Sequence, residues 1–163
     1  MHYRILFGTL ALAVSGLVIA AAPVTVQVID AWIRWLPADL PAGGYATLAN
    51  TGAQPLALIG ASSPDYEQVS LHQTVMRGQT SVMLPVAQIT IAPGSRVSFA
   101  AAGYHFMLER ATRAIMPGDH VSITLHFAGG SSVQVPFEVR KPSAPQSDMS
   151  DMPGMGDMPG MQH

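Results

Sequence analysis

The chain is expected to fold as an all-β domain, and three observations carry that expectation. Short runs rich in β-branched and aromatic residues recur along the middle of the chain, many of them alternating apolar and polar side chains. Gly, Pro, Asn and Ser clusters such as "NTGAQP", "APGS", "AAG", "MPGD" and "AGGSS" separate them. No segment has the three-to-four-residue apolar period of an amphipathic helix.

The runs follow in order. "VTVQVIDAWIRW" (24–35) alternates, and "YATLAN" (45–50) follows a Gly pair. "LALIGASS" (56–63) ends at Pro64, and "YEQVSLHQTV" (66–75) is followed by "SVMLPV" (81–86). "RVSFA" (96–100), "YHFMLE" (104–109), "HVSITLHF" (120–127) and "SVQVPFEV" (132–139) complete the set. Eight or nine strands in about 118 residues fit a β-sandwich or barrel.

The ends of the chain read differently. His2 and Arg4 precede the apolar run "ILFGTLALAVSGLVIAAA", which closes on small residues. That is the pattern of a secretory signal over residues 1–21, cut after Ala20 or Ala21 because Pro23 hinders cleavage after Ala22. Left uncleaved, the run would be a membrane anchor. The folded domain is expected over 22–141. Residues 142–163, "PSAPQSDMSDMPGMGDMPGMQH", have no apolar period and are expected to be disordered.

Composition narrows the chemistry. Of 163 residues 48% are hydrophobic and 11% charged, which excludes disorder throughout. Residues 22–141 carry seven basic and seven acidic side chains with no cationic stripe, so nucleic acid is not an expected partner. There is no Cys, which excludes thiolate zinc sites, thiol enzymes and blue copper. There are ten Met, eight of them beyond residue 80. In an oxidising compartment, thioethers replace thiols as soft donors.

Strand parity singles out a few side chains. In "YHFMLE", Tyr104, Phe106 and Leu108 share the apolar face, and His105 and Met107 point the other way. In "VSLHQTVM", Val69, Leu71, Gln73 and Val75 share one face, and Ser70, His72, Thr74 and Met76 the other. In "SVMLPV", Met83 lies opposite Val82, Leu84 and Val86. A Met in a β-domain ordinarily fills the core, and a lone His is ordinarily a surface residue. Those readings suffice for His120, His126 and Met116. They do not suffice for two His and two Met that all avoid the core. Imidazole with thioether suits copper, above all Cu(I), because a soft ion prefers polarizable sulfur.

The spacing His72, ten residues, Met83, twenty-one residues, His105, one residue, Met107 resembles that of the periplasmic copper chaperones called PCu(A)C. "DAWIR", "YATLAN", "GASSP", "VSLHQTVM", "MLPV", "ITIAPGSRVSF", "GYHFMLE" and "PGDHVSITLHF" resemble the same family, over residues 24 to about 139. One departure is "SFAAAGYH", where many relatives place a Pro before the Gly. The resemblance implies a cupredoxin-like β-sandwich of Greek-key type. It implies Cu(I) ligation by His72, Met83, His105 and Met107, with Met76 a weaker candidate. It also implies periplasmic delivery to a copper-accepting protein, either a cytochrome c oxidase subunit or another assembly chaperone. No small-molecule substrate is expected. Two other functions stay open: a copper oxidase or reductase, and a storage or resistance protein that buffers copper.

The tail repeats Met every three residues at Met149, Met152, Met155, Met158 and Met161, and "DMPGM" occurs twice. Some members of the family carry a Met- and His-rich extension, and this tail is similar. It is expected to be a second site, with the methionines taking Cu(I) and His163 and the Asp residues helping to hold Cu(II).

Overall fold

The computed structural model describes residues 25–37 and 40–142. The expected signal segment 1–21 lies outside the described residues. So does the tail beyond Pro142, with Met149, Met152, Met155, Met158, Met161 and His163.

The described residues form ten strands. They are β1 (Val26–Arg34), β2 (Ala42–Asn50), β3 (Leu56–Ser62), β4 (Tyr66–Arg77) and β5 (Thr80–Pro85), then β6 (Ile89–Ile91), β7 (Arg96–Phe99), β8 (Tyr104–Ala111), β9 (His120–Phe127) and β10 (Ser132–Arg140). Nine fall on the alternating runs. β6 was not expected from the sequence; its three residues are too few to display a period, yet Ile89 and Ile91 are both buried and pair with β3.

All ten strands join one hydrogen-bonded sheet in the order β5-β4-β8-β7-β2-β1-β10-β9-β3-β6. The sheet folds over on itself, because β3 and β4 touch although seven places apart in that order. This produces the sandwich. One core fills its interior, with Leu48, Leu58, Leu71, Phe106, Ile123, Phe127 and Phe137 among its members. The neighbours β4 with β8, β1 with β10 and β3 with β9 are distant in sequence, so the chain crosses between the two halves, as in a Greek key.

Two local features set which side chains face outward. In β1 the pairing with β2 slips between Ile29 and Trp32, at a bulge where Asp30 has φ 47°. Inward positions are therefore Val26 and Val28 before the bulge and Ala31 and Ile33 after it. Between β4 and β5 a two-residue turn, Gly78-Gln79, joins the paired residues Arg77 and Thr80. Its first position has φ 63°, which Gly adopts without steric cost, and such a turn matches the twist of a hairpin. The turn fixes the register of β5 on β4 and so decides what lies opposite each residue of β4.

Candidate metal centre

The register of β5, β4 and β8 brings the four candidate donors to one face. His72 on β4 pairs directly with His105 on β8, and Ser70 pairs with Met107. Thr74 pairs with Met83 on β5, which places Met83 diagonally from His72. Leu71 and Phe106 pair on the opposite, inward face, where both are buried. Alternation thus turns two imidazoles and two thioethers outward while their neighbours hold the strands to the core.

The two rings lie 6.0 Å apart between centroids, tilted by 35°. His105 is 5% exposed, and His72 is half-buried. Outward here therefore does not mean wet: the surrounding side chains cover His105, which the sequence placed only as a non-core residue. The His105 Nδ1–H donates to the Gly103 carbonyl at 3.1 Å, since a carbonyl can only accept. Its Nε2 then carries a lone pair, and that atom is buried with no hydrogen-bond partner. His72 Nε2 shares a hydrogen bond with the Ser70 hydroxyl at 3.0 Å, and its Nδ1 is likewise buried and unpartnered. A buried polar atom without a partner is costly and rare. Two of them, one on each of two facing imidazoles, mark a place for an ion.

Electrostatics agree with a neutral site. Burial holds the His72 imidazole below its usual pKa, the neighbouring His105 adds to that effect, and Glu109 opposes it. The ring therefore takes up a proton less readily than a free imidazole. Among the described residues no three His, Asp or Glu converge, and the soft donors that share this face with the imidazoles are the Met thioethers.

The sulfurs grade outward. Met107 is half-buried, with Ser70 on β4 and Gly43 on β2 as its cross-strand neighbours, and the Tyr45 ring covers Gly43. Met83 is 48% exposed on the edge strand, and Met76 is 65% exposed. Met76 pairs with Ser81, next to the Thr74–Met83 pair, so it lies farther from the imidazoles than any of the main four. His126 bonds the Ser62 hydroxyl at 2.8 Å, and Met116 is exposed in its turn; neither shares this face with the centre. Sequence reasoning missed the supporting cast of Ser70, Gly103 and Gly43. Only Ser70, two residues from His72 with the same parity, left a readable trace.

Fold and site together define a class: β-domains that present a mixed imidazole–thioether donor set from three adjacent strands. The chain belongs to the LpqE-like family, described as "Putative lipoprotein LpqE-like", which it matches over residues 26–139. It is 29% identical over 116 residues to "Putative lipoprotein Lxx21020" of Leifsonia xyli subsp. xyli, covering 71% of this chain and 69% of that protein. Among solved structures, it is similar to the copper-bound PCuAC domain from PmoF2, with a TM-score of 0.61 at 25% identity. That match covers 74% of this chain and 97% of the other. It is also similar to the solution structure of CuI-DR1885 from Deinococcus radiodurans, with a TM-score of 0.58 at 31% identity, covering 75% and 81%.

Proposed function

We propose that this protein is an exported copper chaperone that binds Cu(I) through His72, Met83, His105 and Met107 and passes it to a copper-accepting protein. The observation that carries the reading is the pair of buried, unpartnered imidazole nitrogens on the face that also bears the two thioethers. Copper-loaded relatives of the same fold support it. Neutral imidazole and thioether donors bind Cu(I) without releasing a proton at neutral pH, unlike thiols. Copper is cargo here, not a reaction centre: four protein donors leave no open position for a substrate.

The arrangement favours delivery over buffering. A storage site gains by enclosing its metal, whereas here one donor, Met83, stands half exposed on the outermost strand. An acceptor's donor atom can displace that sulfur first, while the imidazoles hold the ion. Met76, on the same hairpin, serves as an outer stepping point. The recipient we assign is a copper centre of cytochrome c oxidase, reached directly or through another assembly chaperone.

In this reading residues 1–21 direct export to the periplasm, 22–141 form the copper domain, and 142–163 add further Cu(I) and Cu(II) donors. The lipoprotein description of the family supports export. The 163 residues contain no Cys, so they offer no thiol to carry a lipid.

X-ray absorption on the Cu(I)-loaded protein tests the site. Mixed nitrogen and sulfur neighbours are expected, and a shell of nitrogen and oxygen alone rejects the assignment.

A further inference from the structure

A second feature lies one strand away from the metal face. Trp32 on β1 pairs with Tyr45 on β2, and their rings pack at 4.7 Å between centroids. Tyr45 lies over Gly43: a Cβ at Gly43 would sit 2.5 Å from the Tyr45 hydroxyl oxygen. Gly43 is in turn the cross-strand neighbour of Met107. Trp32, Tyr45 and Phe99 line a cleft of about 370 Å³, with Arg34 and Pro142 also in its walls. Pro142 is the last described residue, so the chain leaves the domain from the wall of this cleft.

We propose that the cleft is a docking site for the chain's own Met-rich tail, residues 143–163, with a Met thioether seated against the Trp32 and Tyr45 rings. Four observations select this occupant. Sulfur packs favourably on aromatic rings, and the tail offers five Met against a half-buried Trp32 ring and a largely buried Tyr45 ring at the cleft. The volume is near the lower end for binding pockets, which suits one or two side chains rather than a folded partner. Met149 follows Pro142 by seven residues, a reach of at most ~25 Å, ample for turning back into a cleft that starts at Pro142. The tail carries Asp148, Asp151 and Asp157 and no basic residue, while Arg34 at the cleft has no ion-pair partner among the described residues. A tether of this length supplies a roughly millimolar effective concentration, so a weak contact is populated.

The docked tail keeps spare sulfur beside the strand that carries Met107. The inference does not depend on copper, and its test is run on metal-free protein so that the two readings fail separately. The chain has two Trp, and their indoles make the probe and its control. Trp35 Nε1–H is held by the Ile115 carbonyl at 2.9 Å, whereas the Trp32 indole lies at the cleft. Indole N–H resonances are recorded for the exported chain and for a variant with Met149, Met152, Met155, Met158 and Met161 all changed to Ser. The expected result is a shifted Trp32 resonance in the variant, an unmoved Trp35 resonance, and no dependence on protein concentration. Superimposable spectra overturn the proposal. A Trp32 shift that grows with protein concentration also overturns it, by giving the cleft to the tail of a second copy.

Discussion

Adjacent residues of β8 should separate stability from metal binding. Phe106 is fully buried, stacked on Phe99 at 4.6 Å and 5° and set edge-on to Phe137 at 5.8 Å and 89°. Truncation to Ala typically costs about 3–5 kcal/mol for a buried aromatic, and two aromatic pairs place this position in the upper part of that range. Against a urea slope of about 2 kcal/mol/M, a loss of ~4 kcal/mol lowers the midpoint by about 2 M. Met107 points the other way and is half-buried. Met107→Ala should cost about 1 kcal/mol or less, roughly half a unit of molar urea. Cu(I) affinity should reverse the order. Competition with a chromophoric Cu(I) chelator should show at least a tenfold loss for Met107→Ala, about 1.4 kcal/mol. Phe106→Leu, which stays folded, should bind within about threefold of wild type. The reasoning fails if Met107→Ala lowers the midpoint as far as Phe106→Ala, or if Phe106→Leu loses copper as Met107→Ala does.

Two further outcomes follow from the centre. Because burial lowers the folded pKa of His72 below its unfolded value of about 6.5, the unfolded chain takes up the proton more readily. Its contribution to stability is thus fully present above about pH 6.5 and is lost as pH falls toward the folded pKa. The metal-free His72→Gln variant should show a smaller drop in urea midpoint from pH 7.5 to 5.5 than wild type, and a larger drop contradicts the burial assignment. Met76→Ala should leave equilibrium Cu(I) affinity within about twofold and slow transfer to an acceptor in stopped-flow mixing; unchanged rates remove Met76 from the route.

What the sequence revealed and what it concealed have the same origin. A period of two is written into each strand by itself, so the outward parity of His72, Met83, His105 and Met107 was legible without knowing any neighbour. The bulge at Asp30 was not, because "VIDAWI" carries no mark of the positive φ that shifts its inward set from Val28 to Ala31. β6 was too short to show alternation. The burial of His105, the Gly103 carbonyl that fixes its tautomer, and the placing of Gly43 opposite Met107 all come from other strands and turns. Such cross-strand facts exist only after the register is set. The β4–β5 register is likewise set only once the chain turns at Gly78.

The place of β5 in the strand order has a consequence for how a bound ion would leave. An outermost strand is hydrogen-bonded on one side only, and such elements open at a fraction of the free energy of global unfolding. Opening of Thr80–Pro85 would carry Met83 away and leave His72, His105 and Met107 in place on β4 and β8. The donor set is thus divided between a loose edge and a fast interior. Fraying of one hairpin would act as a valve, changing the ion's coordination number by one while the sandwich stays shut.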